Sequence, residues 1–182
     1  QGRFMNVVFR PLEAAELTEK LFGAFDRRQE VKDCYRRDER GGWCVRADPF
    51  TDEWNAEDYA FLVRCLLRTL ERGGTVYGAF VSGELKGFCS LEAEPLGSAG
   101  QYRDLTGLHV SRELRGRGIG KRLFALAADA ARRLGGEKLY ISSHSAVETQ
   151  AFYRGIGCVD AAETVAAHAE REPYDCQLEY RL

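Results

Sequence analysis

The chain lacks most of the features that would assign it at a glance. No apolar run reaches the ~20 residues that a membrane-spanning helix requires, so a soluble protein is expected. No segment repeats, and none is reduced to a few residue types. There is no surplus of positive charge: 26 Lys and Arg stand against 28 Asp and Glu, for a formal net charge of −2. That argues against a general nucleic-acid binder, which needs a basic domain or a segregated basic face. The six cysteines, Cys34, Cys44, Cys65, Cys89, Cys158 and Cys176, form no C-x-x-C pair and no Cys/His set at zinc-ligand spacing. They read as reduced, mostly buried thiols of a cytoplasmic protein, and no metal is expected. Met5 is the single methionine. Gln1-Gly2-Arg3-Phe4 before it looks like the remnant of a cleavable tag, so the native start is expected at Met5. Asn6 to Arg10 runs straight into a strand pattern and leaves no room for a signal peptide. A length of 182 residues fits one domain over residues 5–182.

What the chain does have is Arg115-Gly116-Arg117-Gly118-Ile119-Gly120, after an apolar stretch (Leu105 to Val110) and before a helical pattern running to about Leu134. Glycines let successive backbone N–H groups converge, and the helix that follows adds unpaired N–H groups and about half a positive charge. The combination is a pocket for phosphate or pyrophosphate. Two common phosphate loops fail position by position. A dinucleotide G-x-G-x-x-G would need glycine at Lys121 or at Leu123, and a P-loop would need glycine at Arg115 and Ser or Thr at Arg122. Taken alone, the turn reads first as a solvated connection or a basic patch of Arg112, Arg115, Arg117, Lys121 and Arg122; the strand before it, the amphipathic helix after it and a second motif downstream reverse that order.

Around this loop the pattern is mixed. Met5 to Arg10 reads as a strand ended by Pro11, and Leu12 to Phe25 as a helix. Residues 26–53 show no usable periodicity. Asn55 with Asp58 starts a helix that recurs at Tyr59, Leu62, Cys65 or Leu66, Thr69 and Leu70 up to Gly73-Gly74. Thr75 to Val81 and Leu85 to Ala93 form a hairpin turned at Ser82-Gly83, and Tyr102 to Val110 is a strand. Ile119, Leu123, Leu126, Ala127, Ala130 and Leu134 make the apolar stripe of the next helix. Lys138 to Ser143 is a strand, Ser145 to Glu148 a capping box for a helix to Gly155, then a short helix from Thr164 to Glu170 and a strand from Asp175 to Leu182.

Arg115, Gly118 and Gly120 match R/Q-x-x-G-x-G/A. Phe152, Tyr153 and Gly157 match a second motif, N-x-x-A-x-x-F/L-Y-x-x-x-G-F. In both the sequence resembles the GNAT superfamily of acyl-CoA-dependent N-acyltransferases, over most of the chain from Thr75 onward. Ala146 stands at the usual asparagine and Thr149 at the usual small residue, which leaves a side-chain contact to the pantetheine arm to Ser143 or Ser145. The resemblance implies a single-domain α/β fold whose mixed sheet splays apart and is flanked by helices. It implies acetyl-CoA as co-substrate, anchored by Arg115, Gly116, Arg117, Gly118, Ile119, Gly120 and Lys121 and aligned by Leu108, His109 and Val110, with Ser145 nearby. Backbone N–H groups of that strand could also steady the developing oxyanion. Tyr153 falls on the tyrosine that protonates the departing thiolate, and Asp104 on the slot of the base, with Glu92, Glu94 or a water as alternatives. His109 and His144 are able to titrate near neutrality. The acceptor pocket is implied between residues 26–54 and the Tyr174-Asp175 turn.

The reaction so implied is direct acetyl transfer to a primary amine on a small molecule or peptide, without nucleic acid or membrane partners, and with a homodimer as the default assembly. Two rivals stay open at this point: a non-catalytic acyl-CoA sensor on the same fold, and a nucleic-acid binder using the basic patch.

Overall fold

The computed structural model describes residues 5–182; the tag-remnant reading of residues 1–4 lies outside the described residues. The elements run β1 (Val7–Pro11), β2 (Gln29–Arg37), β3 (Trp43–Asp52), α1 (Ala56–Glu71), β4 (Thr75–Val81), β5 (Glu84–Leu91), β6 (Tyr102–Val110), α2 (Ile119–Arg133), β7 (Lys138–Ser143), α3 (Val147–Ile156), β8 (Val159–Asp160), α4 (Ala166–Arg171) and β9 (Cys176–Arg181). Seven strands form one mixed sheet in the order β1-β4-β5-β6-β7-β9-β8, and β2 pairs with β3 in a separate hairpin. This is the expected α/β architecture.

Local chemistry accounts for much of it. Asn55 accepts the Asp58 backbone N–H at 2.9 Å while the Asp58 carboxylate accepts that of Asn55 at 2.8 Å, a reciprocal cap that fixes the start of α1. Ser82 and Gly83 both take positive φ, 51° and 78°, the tight turn that the twist of a two-residue hairpin favours. Leu123 and Ala127 of α2 have no exposed surface and pack, with Phe124, against the central strands. Leu66 of α1 meets Phe22, Phe25 and Phe88 in a second cluster.

The feature that positions the site is a split. β6 and β7 are parallel partners only at Tyr102↔Lys138, Arg103↔Leu139 and Asp104↔Tyr140. Beyond Asp104, β6 stays with β5 as far as Gly87↔Val110, and β7 stays with β9 as far as Ser143↔Cys176. A register shift at Ser90/Leu91 leaves Thr106 as the extra residue of β6. Such a bulge bends its strand, here away from β7.

Two expectations need correction, and one stretch without a readable pattern gains a structure. Residues 12–25 are not one helix but two 3₁₀ turns, Ala14–Glu16 and Glu19–Phe22. Leu12, Leu17, Phe22 and Phe25 must all be buried, and their five- and three-residue spacing does not fall on one α-helical stripe. Residues 26–53, which carry no readable pattern, are mainly the β2–β3 hairpin; Val31, Cys34 and Phe50 of it join a small cluster and Trp43 packs on the main core, so most positions are free of an in/out rule. The hairpin turns where the Asp38 carboxylate accepts the backbone N–H groups of Arg40 and Gly42. Finally, Ser145 does not cap α3: the cap residue is Ala146, and the Ser145 hydroxyl accepts from Arg36 Nη1 at 2.7 Å.

Candidate active site

The split in the sheet opens into a cavity of about 750 Å³. One wall is the β6 edge from Leu105 to Val110, which faces no partner strand. The other is Ile141 to His144 with Thr149, Phe152 and Tyr153 of α3, and the glycine loop closes one end. Gly116 and Gly118 sit at φ 77° and 86°, in the left-handed region that side chains disfavour, and the space beside each is open. Gly118 caps α2 without a side chain, and no acidic residue occupies the first turn. The N–H groups at this helix end are therefore offered to the cavity. Gly120 is present for a different reason: a Cβ there would lie 3.3 Å from the Phe152 ring. Arg27, Arg115 and Lys121 supply positive charge to the lining, against the single carboxylate of Glu148.

The predicted residues are distributed unevenly. Leu108, His109, Val110, Arg115, Gly116, Gly118, Ile119, Gly120, Lys121 and Tyr153 all line the cavity. Arg115 serves it indirectly, because its guanidinium donates to the carbonyls of Val110 (3.0 Å), Arg28 (2.8 Å) and Arg27 (3.0 Å). It ties the loop to the chain before β2 instead of reaching out as a free cation. Arg117 faces a separate depression with Asn6, Arg10 and Ser82. Ser145 is turned to Arg36, as above, and stands outside the cavity lining. His109 is wedged between Trp54 and Phe88, with ring centroids at 4.9 and 5.4 Å. Burial, then Arg27 and Arg115, hold its pKa well below the ordinary histidine range, so it is neutral at pH 7 and does not titrate there as expected. The His144 Nδ1 accepts the Ala146 N–H at 3.0 Å, a local cap.

Tyr153 is 7% exposed, and burial raises its pKa, which keeps the phenol protonated. Asp104 stands at the last paired residue before the split, adjacent to the cavity and not in its lining. Its carboxylate is bonded to His168 Nε2 of α4 at 2.6 Å, and the bond raises the His168 pKa against the opposing effect of burial. His168 also stacks on Tyr140, with centroids 5.8 Å apart. Glu92 accepts from Thr69 and, at 3.1 Å, from Thr106. Across the split, Ser142 of the lining donates to Asp175 at 3.3 Å, whose carboxyl is raised by burial and then by Glu172.

Sequence reasoning missed His168, Ser142, Arg27, Gln29 and Trp54. Only tertiary pairing brings them here, and Arg27, Gln29 and Trp54 flank or belong to the unreadable hairpin. That hairpin does meet the Tyr174-Asp175 turn: Arg36 lies 4.3 Å over the Tyr174 ring, beside a second depression of about 570 Å³.

The site is a strand-shaped gap between two sheet strands, closed by a glycine-capped helix N-terminus. The Acetyltransferase (GNAT) family model matches residues 28–158, and the chain belongs to that family. Among solved structures it is similar to a candidate streptothricin acetyltransferase from Bacillus anthracis str. Ames in complex with acetyl coenzyme A, at TM-score 0.72, 18% identity and 98% and 99% coverage of the two chains. It is also similar to a nourseothricin acetyltransferase, at TM-score 0.65, 17% identity and 95% coverage of each. A third is the PaiA N-acetyltransferase from Thermoplasma acidophilum in complex with coenzyme A, at TM-score 0.60, 16% identity and 98% and 100% coverage. At these identities the likeness is one of fold. No curated protein sequence matches the chain. The chain is thus an acetyltransferase of the GNAT fold, and among the described residues no helix is long and apolar enough to cross a membrane.

Proposed function

We propose that this protein transfers the acetyl group of acetyl-CoA directly to a primary amine. The observation that carries the reading is the unpaired β6 edge leading to the N-terminus of α2, which has no side-chain cap: an extended amide chain fits the first and a pyrophosphate the second. Gly116, Gly118, Ile119, Gly120 and Lys121 would hold the phosphates, with Arg115 bracing the loop, Arg117 flanking it and Ser145 buttressing the wall through Arg36. Leu108, His109 and Val110 would align the arm by their backbone. The thioester supplies an activated acetyl group.

Asp104 takes the proton of the acceptor ammonium, directly or through a water, and His168 holds its carboxylate oriented. Tyr153 returns a proton to the departing sulfur. Positioning of two substrates in line across the split contributes much of the rate. The amine enters beside Asp104, past Thr106 and Ser142 of the lining, the second of which is bonded to Asp175. Six unpaired thiols support a reducing, cytoplasmic setting.

The test is calorimetric titration with acetyl-CoA, followed by a screen of streptothricin, spermidine, lysine and an alanyl peptide as acceptors. Gly118→Asp places a carboxylate on a left-handed residue at the anion site, and acetyl-CoA affinity should fall by about 100-fold or more. No binding by the parent protein would refute the reading, and binding without transfer to any amine would favour the sensor.

A further inference from the structure

Residues 161–171, which run from the end of β8 through α4, are fastened to the body by polar bonds. α4 has no buried residue, and among the described residues none of this segment joins a hydrophobic cluster. The Glu163 carboxylate accepts from Ser98 Oγ at 2.8 Å and from Gln101 Nε2 at 2.9 Å. The Ala162 N–H donates to Glu179 at 2.7 Å and the Val165 N–H to the Tyr140 hydroxyl at 3.0 Å. The last anchor is His168, 2.6 Å from Asp104. Water can replace bonds of this kind, whereas it cannot replace buried apolar contact, so the segment belongs to the part of the molecule that opens most easily.

One of its anchors is also the candidate base. Only 7% of the Asp104 side chain is exposed, against 23% of that of His168, which lies over Tyr140 with the ring planes 20° apart. The imidazole therefore covers the carboxylate, and a carboxylate so covered can satisfy one cation at a time. An acceptor's ammonium needs the same oxygens. We propose that His168 is a latch displaced by the acceptor: imidazolium and ammonium compete for the Asp104 carboxylate, and α4 swings off when the ammonium takes it. His168 orients the carboxylate at rest and gives it up to the incoming amine. The inference rests on the reading of Asp104 as the base and adds a regulation of that site by pH. The charges that face His168 set its direction. Asp104 of β6 raises the His168 pKa most, burial opposes it, Arg171 of α4 lowers it and Asp175 ahead of β9 raises it, while Tyr140 of β7 is kept a neutral phenol by burial. The charged latch is thus fully formed below the ordinary histidine value and weakens as pH rises through the folded one.

The experiment has two arms, both on the whole chain at pH 5.5 and pH 9. The first follows backbone amide exchange over residues 165–172, corrected for the intrinsic pH dependence of exchange. Protection in the parent should fall by about 10-fold from the lower pH to the higher, and in His168→Gln it should be low at both. The second measures the acceptor KM with streptothricin, spermidine, lysine and an alanyl peptide. The ratio of parent to variant KM cancels the titration of the amine itself. For His168→Gln that ratio should be about 5 at pH 5.5 and about 1 at pH 9, with the acetyl-CoA dissociation constant unmoved. A purely structural His168 would give the reverse, a variant with a higher KM at the pH where it has lost stability. Glu163→Gln loosens the same segment without touching Asp104, and should lower KM about 2-fold at both pH values; it keeps the test sound if His168→Gln does not fold. Parent protection that does not change with pH, or variant KM values no lower than the parent's at pH 5.5, overturns the proposal. If protection falls as expected and no amine is acetylated, the acetyltransferase reading has failed, and the claim that an acceptor opens the latch falls with it.

Discussion

The lining of the cavity and the polar pairs that flank it are built from different material. On the cavity side the groups that matter are mostly backbone: the open edge of β6, the N–H groups at the start of α2, and glycines that keep both accessible. In the flanking pairs they are side chains drawn from distant parts of the chain: Asp104 with His168 of α4 and Glu92 with Thr69 of α1. Backbone geometry is transferable between sequences, whereas side-chain geometry must be rebuilt for each substrate. The backbone of the lining should therefore govern binding of the common co-substrate, and the flanking side chains, with the Tyr153 phenol of the lining, should govern turnover.

Variants can break that division. The largest effect is expected from Asp104→Asn, which should lower kcat by about 100-fold while the acetyl-CoA dissociation constant stays within about 2-fold. Steady-state kinetics with an acceptor from the screen, beside calorimetry, would check it; a parallel loss of binding would erase the distinction. Tyr153→Phe should cost about 10-fold in kcat with binding retained, less than Asp104 because a thiol of pKa about 8.5 is a tolerable leaving group even unassisted. Unchanged turnover would remove Tyr153 from the mechanism.

Smaller effects come from pH, and they have opposite signs. The folded pKa of His168 is raised by Asp104. The stabilisation from that pair is thus fully present below the unfolded histidine value of about 6.5 and is lost as pH rises through the folded value. In melting experiments, His168→Gln should lower the Tm at pH 5.5 more than at pH 9. A constant difference would mean that the pair contributes no charge-dependent stability. His109 behaves in reverse. Its depressed pKa contributes stability above about 6.5 that drains away as pH falls toward the folded value. His109→Phe should therefore flatten the acid limb of the stability curve, and an unaltered limb would sink this account.

How far the sequence could be read follows the same division. The glycine loop, α2, the Ser82-Gly83 hairpin and the Asn55 cap were legible because each is set by residues within one turn of each other: positive-φ glycines, reciprocal caps, an apolar stripe at helical spacing. The Ser145 capping box failed for the opposite reason. A distant arginine, Arg36, offered the hydroxyl a charge-assisted bond, which is stronger than a neutral local cap. Residues 12–25 misled because their apolar positions follow the shape of a pocket between α1 and the sheet and not a helical period.

The sequence by itself determined the fold family and marked the glycine loop and Tyr153 as residues to test, since those signals are local and tied to fixed spacing; it left the base open among Asp104, Glu92, Glu94 and a water. Tertiary structure alone decided that Asp104 is partnered by His168, 64 residues away, that Arg115 braces the loop, that His109 is held neutral, and that a charged hairpin from residues 29–52 faces the Tyr174 turn. Pairing across such separations is set by packing and burial over the whole molecule, and no short window of residues encodes it.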